Sequence, residues 1–221
     1  YLSLDPKSPE AYNNRGLAYQ RCKEYRLAIM DFEKARKIDS QNVKPLYNIG
    51  NANYNSKNYN LAIKYLDSCV ILNPNHVNSY YLLAASYVKL NQRNTALRYF
   101  NKALSIEPNH YKSLKDRGLT YTELNKLDLA LTDFKKGIAL NPNDYEIYAG
   151  QAIAYFKMGN WDSSYKSLIN AKKLSSDSKI DYFLGMIHLI KKEKPKACAC
   201  FKEGMEKKNK DALEEYNRNC R

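Results

Sequence analysis

The residues able to do chemistry in this chain are few and scattered. Five cysteines and three histidines stand among 221 residues. No Cys-x-x-Cys, His-Glu-x-x-His or Gly-rich phosphate loop gathers them into ligand or nucleophile spacing. His76 and His110 fall at the same place in two successive segments, and His188 sits where neighbouring segments carry tyrosine. Spacing of that kind belongs to a repeat rather than to a metal site. Paired carboxylates such as Glu214 and Glu215 lack the apolar surroundings that would raise one pKa for acid–base work. The residues imply no catalytic centre, no metal and no cofactor.

Composition bounds the remaining classes. With 44% hydrophobic and 12% aromatic residues the chain has ample material for a core. No run of about 18 apolar residues is present, so no membrane span is expected. The first residues lack the charged-then-apolar layout of a signal peptide, and the chain opens at Tyr1 without Met. A preceding segment is therefore expected, and the compartment is open. A net charge of +13 would attract phosphates, which keeps nucleic acid in view as a partner. The lysines, however, alternate with Asp and Glu through nearly every segment, the pattern of solvated helix faces. Nucleic acid is the lesser expectation.

The elements that position these residues follow from a 34-residue period. Segments starting at Pro9, Val43, Val77, Tyr111 and Tyr145 superpose, with a sixth at Ser178 after a one-residue deletion. The twentieth position reads Ala28, Ala62, Ala96, Ala130, Ser164, Ala197, and the twenty-fourth reads Phe32, Leu66, Phe100, Phe134, Leu168, Phe201. The eighth reads Gly16, Gly50, Ala84, Gly118, Ala152, Gly185, and the eleventh Tyr19, Asn53, Tyr87, Tyr121, Tyr155, His188. Small residues let two helices approach, and large ones fill the space beside them. Ser40, Pro74, Pro108, Pro142 and Ser176 close the segments, where proline cannot extend a helix. Each segment predicts helix, turn, helix, turn.

On these residues the chain resembles the tetratricopeptide repeat (TPR) family over essentially its whole length. The resemblance implies an all-α fold, a right-handed superhelix of helix pairs whose first helices line a concave groove. The expected organisation is the end of a truncated preceding repeat at 1–8, repeats at 9–42, 43–76, 77–110, 111–144, 145–177 and 178–210, and a polar capping helix at 211–221. The sixth repeat departs from the others at Lys207, where they carry Ile38, Leu72, Ile106, Leu140 and Leu174.

The implied function is a non-catalytic scaffold that binds a peptide or partner segment, or a module of a larger protein whose activity lies elsewhere. Steps of three and four turn positions 2, 5, 9 and 12 of each first helix to one face. The candidate contacts are Asn13, Asn14, Lys44, Tyr47, Asn48, Asn51, Tyr54, Asn78, Tyr81, Lys112, Lys115 and Tyr182. Tyr47, Tyr81 and Tyr182 are not required by the packing pattern, and exposed tyrosine is a favoured contact residue. Covering neighbouring helices is the alternative role for them. The carboxylate clamp that docks chaperone tails in some family members is not matched. Asn48 fits its middle position, but Asn13, Leu17, Asn78 and Leu82 replace its other members.

Cys198 takes the twenty-first position, which faces the next element, here the capping helix that ends near Cys220. Their spacing is similar to that of a subset of bacterial envelope members, which implies a Cys198–Cys220 disulfide and an oxidising compartment, the periplasm or cell envelope. Those relatives place an aromatic directly before the last cysteine, where this chain has Asn219. The other reading is a small buried hydrophobe at Cys198 and a free terminal thiol at Cys220, as in a reducing cytoplasm.

Overall fold

The structure is a computed structural model and describes residues 7–220. Tyr1–Pro6, read above as the end of a preceding repeat, lies outside the described residues. Among the described residues the chain is all helix, and it divides into two compact units, up to Ser113 and from Leu114. The first unit holds α1 (Pro9–Arg21), α2 (Tyr25–Ile38), α3 (Val43–Asn55), α4 (Tyr59–Leu72), α5 (Val77–Lys89) and α6 (Arg93–Ile106). Helix α7 (Tyr111–Glu123) carries the division. The second unit continues with α8 (Leu127–Leu140), α9 (Tyr145–Lys157), α10 (Trp161–Leu174), α11 (Ser178–Ile190), α12 (Lys194–Glu206) and α13 (Lys210–Asn219).

Each helix starts and stops for a local reason. Side chains of Ser8, Asn42, Asp144, Asp177 and Asn209 accept from backbone N–H groups in the first turns of α1, α3, α9, α11 and α13. Paired helices are joined by one turn design. Lys23, Lys57, Asn91, Asn125, Gly159 and Lys192 all take positive φ. The next residue's N–H bonds five residues back, as from Glu24 to Tyr19 O at 2.9 Å. Pro74, Pro108 and Pro142 supply none of this geometry; they lie in the longer turns between pairs.

Within each pair the small and large positions interlock. Phe32, Leu66, Phe100, Phe134, Leu168 and Phe201 are buried, as are Ala28, Ala62, Ala96, Ala130 and Ala197. A Cβ on Gly16 would stand 2.5 Å from the Phe32 ring, and one on Gly118 would stand 2.7 Å from Phe134. Glycine is thus a steric requirement there, because the ring occupies the space that a methyl group would take.

The seventh and twenty-third positions form a further match inside several pairs. Arg15 grips Asp31 with two hydrogen bonds of 2.6 Å, and Arg117 grips Asp133 with two of 2.7 Å. In the fifth repeat Ser167 Oγ donates to Gln151 Oε1 at 2.8 Å instead. Both aspartates are buried, so the fork geometry of arginine supplies the partners they would otherwise find in water.

The last pair ends differently. Asp181, fully buried in α11, stands where Tyr12, Tyr80 and Tyr148 occur in other repeats. Its Oδ2 accepts from Lys207 Nζ at 2.5 Å, and its Oδ1 lies 3.0 Å from Lys172 Nζ, an ion-pair contact off the line of a hydrogen bond. Lys207 therefore replaces an apolar residue because its partner position has become a carboxylate. Helix α13 closes this end: Ala212 packs on Gly204, and Tyr216 and Cys220 join a cluster with Tyr182, Met186, Leu189 and Phe201. Cys198 and Cys220 are joined in a disulfide, with Cα atoms 5.7 Å apart, inside the ordinary range. Cys22, Cys69 and Cys200 remain thiols.

Candidate functional site

In the first unit α1, α3 and α5 lie side by side and present one face. Lys44, Asn14 and Asn78 stand exposed on it, and Lys112 is exposed in the first turn of α7. Asn48 differs from the expectation of a free contact. It is buried and donates to Asn13 Oδ1 at 2.7 Å, an amide link between α1 and α3. Asn51 Oδ1 accepts from Asn55 Nδ2 at 3.0 Å. The Tyr54 ring meets Tyr59 edge-on at 5.6 Å.

The two central tyrosines have matching supports. Tyr47 rests against the ring of His76 at 5.0 Å, and Tyr81 against that of His110 at 5.6 Å. Both residues are half-buried, and Tyr81 also meets Phe100 at 6.3 Å. Burial raises the Tyr47 pKa, with the nearby Cys69 adding to it, so the phenol stays neutral. Each histidine also opens the next helix. Ser79 N–H donates to His76 Nδ1 at 3.3 Å and Ser113 N–H to His110 Nδ1 at 3.3 Å, with the serine hydroxyls 2.8 Å from the same nitrogens. Ser79 Oγ in turn lies 3.0 Å from Cys69 Sγ. A capping Nδ1 must be an acceptor, which requires the neutral ring.

Burial lowers the pKa of both histidines, and around His110 the opposing effects of Glu107 and Lys112 are smaller than burial. A folded value below the unfolded one, about 6.5, means that the unfolded chain binds more protons in that interval. Stability is whole above about pH 6.5 and declines as pH falls through the interval. Thermal unfolding between pH 7.5 and 5 should show this loss. The double variant His76→Asn/His110→Asn, which keeps an acceptor at both caps and does not titrate, should show a shallower one. Equal slopes would remove the capping histidines as its cause.

In the second unit two expected contacts are engaged within the chain. Lys115 Nζ pairs with Asp144 Oδ2 at 3.0 Å and with Glu146, groups that lie at the start of α9. Its pKa is raised because these two hydrogen bonds outweigh burial, the largest single effect, which alone would lower it. Lys115 is thus engaged by two carboxylates of its own chain. Tyr182 lies in the cluster covered by α13 and meets Phe183 at 5.2 Å and Phe201 at 6.4 Å. Met186 and Leu189 share that cover, so the apolar side chains at this end are packed by the chain itself. His188, replacing the eleventh-position tyrosine, pairs with Glu193 at 2.6 Å and meets Tyr165 edge-on at 5.6 Å. The paired use of the inter-repeat histidines was missed from sequence; the signal was a serine three residues after each, in His76–Ser79 and His110–Ser113.

Family profiles described as Tetratricopeptide repeat match residues 9–42, 43–76 and 77–110, and one described as TPR repeat matches 118–159. No curated protein sequence matches the chain. Solved structures of similar fold include the APC/C hetero-tetramer Cut9–Hcn1, at TM-score 0.82 and 16% identity over 100% of this chain and 44% of that one. The chain thus spans less than half the length of that relative. PilF of Pseudomonas aeruginosa is similar at TM-score 0.82 and 13% identity, covering 95% of this chain and 97% of that one. YrrB, described as a TPR protein with an unusual peptide-binding site, is similar at TM-score 0.65 and 20% identity, covering 87% and 95%. At such identities these likenesses speak for the fold alone.

Proposed function

Because the chain belongs to the tetratricopeptide repeat family, we propose that it is a non-catalytic scaffold that holds an extended segment of a partner protein against the α1, α3 and α5 face. The observation that carries this reading is the pair of half-buried tyrosines, Tyr47 and Tyr81, each set against the ring of a histidine. A ring already held in place loses little freedom on binding, which is why rigid aromatic residues serve as anchors. Exposed Asn14, Lys44 and Asn78 on these helices, and Lys112 in the first turn of α7, offer donors and acceptors for a peptide backbone. Asn13, Asn48 and Asn51 set the floor from within. Peptide binding by YrrB, a protein of similar fold, supports the class of ligand.

The net charge of +13 favours a second reading, a basic array that binds nucleic acid. The two differ in salt dependence. Arrays of extended peptides and single-stranded RNA and DNA oligonucleotides should be titrated against the chain between about 50 and 200 mM salt. On the proposed reading peptides saturate the face and tolerate the salt, whereas oligonucleotides bind weakly and are lost. Sub-micromolar oligonucleotide binding with a steep salt slope and no peptide capture would reverse the assignment. The cystine at Cys198–Cys220 supports an oxidising location such as the bacterial cell envelope, since such bonds are reduced in the cytosol.

A further inference from the structure

The second repeat lacks the aromatic residue that the others carry at the eleventh position: Asn53 stands where Tyr19, Tyr87, Tyr121, Tyr155 and the imidazole of His188 stand. Asn53 is buried, and its side chain turns inward, Nδ2 donating to Ile49 O at 2.9 Å. It does not fill the volume of a ring. Beside it lies an open recess of about 420 Å³ between α2 and α4, walled by Tyr25, Ile29, Met30, Leu61 and Tyr65 and edged by the polar Arg26, Ser56 and Asn58. Met30 and Leu61 are 51% and 48% exposed, unusual for large apolar side chains that border a cavity.

Two walls of the recess are the surfaces that grip the ring elsewhere in the chain. Tyr65 occupies the twenty-third position, and in the third repeat its counterpart Tyr99 stacks on Tyr87 at 5.3 Å with planes only 7° apart. Ile29 occupies the twenty-first position of the preceding repeat, and its counterpart Tyr165 meets the ring of His188 at 5.6 Å. Tyr65 is held in place, its hydroxyl donating to Glu33 at 2.8 Å. The recess is a ring site with its walls intact and its own ring absent.

We propose that this recess receives one aromatic side chain presented by a partner protein. The guest ring would stack on Tyr65 and meet Ile29 at its edge, with the Met30 thioether beside it, contacts that favour a planar aromatic over an aliphatic group of equal size. The site is formed by α2 and α4 with Asn53 of α3 beside them, and it includes none of Tyr47, Tyr81 or the other contacts assigned to the α1, α3 and α5 face, so it stands whether or not that face binds peptide.

Titration of the isotopically labelled chain with p-cresol, followed by amide NMR, tests it. Saturable shifts confined to the neighbourhood of Ile29, Asn53, Leu61 and Tyr65 are expected, with a dissociation constant on the order of 1 mM for so small a probe. Asn53→Tyr should fill the recess from within, abolish these shifts and raise the thermal midpoint by about 2–4 °C. Leu61→Glu, at an exposed position, should abolish them without any such rise, while Tyr47→Ala/Tyr81→Ala should leave them unchanged. Shifts that fail to saturate or that survive both Asn53→Tyr and Leu61→Glu would overturn the proposal, as would equal binding of cyclohexylmethanol. Self-association in sedimentation that Asn53→Tyr removes would overturn it in favour of a second copy as the occupant.

Discussion

Replacing Lys172 and Lys207 together by methionine is expected to destabilise the second unit by about 3–5 kcal/mol, because it leaves the fully buried Asp181 carboxylate without a counter-charge. The two lysines are about one-third exposed and regain water easily, whereas the carboxylate cannot. The cost therefore falls on the side of the anion. Lys172 has its pKa raised overall: burial lowers it, but its hydrogen bond to Glu203 and the attraction of the Asp181 and Glu203 carboxylates more than offset that effect. Its contribution is accordingly complete at neutral pH and is lost only as pH rises above the ordinary lysine value and through the raised one. The complementary variant Asp181→Leu/Lys207→Leu restores the apolar pairing of the other repeats and should be near neutral, since a buried ion pair is often no more stable than well-packed hydrocarbon. Chemical unfolding of both variants checks the pair. A loss below about 1 kcal/mol for the methionine variant would show that water reaches Asp181.

Reduction of Cys198–Cys220 should release α13 at a cost of about 2–4 kcal/mol, since the bond closes a loop across 22 residues. The helix has little else to hold it: Ala212 is its buried residue, and much of its surface is polar. Its departure would uncover Tyr182, Met186, Leu189 and Phe201. Under oxidising conditions a thiol assay in denaturant should find three thiols, Cys22, Cys69 and Cys200, rising to five after reduction. Hydrogen exchange should then show α13 losing protection before α11 and α12, and Cys198→Ser should reproduce the reduced state. Five thiols in oxidised protein, or unchanged protection of α13, would contradict the role of the bond.

Much of the helix register was legible because burial itself is periodic. Gly16 with Phe32 and Gly118 with Phe134 recur at fixed spacing, and each recurrence records the same close approach. What escaped the sequence were contacts whose partners lie on different helices without a hydrophobic signature. Lys115 was placed on the candidate face by helix geometry, but the carboxylates that hold it, Asp144 and Glu146, stand 29 and 31 residues on, at the start of α9. Lys207 was visible as a departure, yet its cause, Asp181, lies in the preceding helix and resembles any other polar residue in a string of letters. Asn48 was read as a contact by its position alone, and only the neighbouring helix reveals that Asn13 already satisfies it. The covering role weighed for Tyr47 and Tyr81 is visible in the histidine each one packs on, whose place in the turn between repeats gave no such hint.

The central claim, that these two rings anchor a protein partner, is tested most directly by measuring the affinity of a captured peptide for the wild-type chain and for Tyr47→Ala/Tyr81→Ala. The account predicts a loss of about 1–4 kcal/mol with helix content unchanged by circular dichroism. Undiminished affinity in a variant that keeps its helices would place the partner elsewhere on the molecule and contradict it.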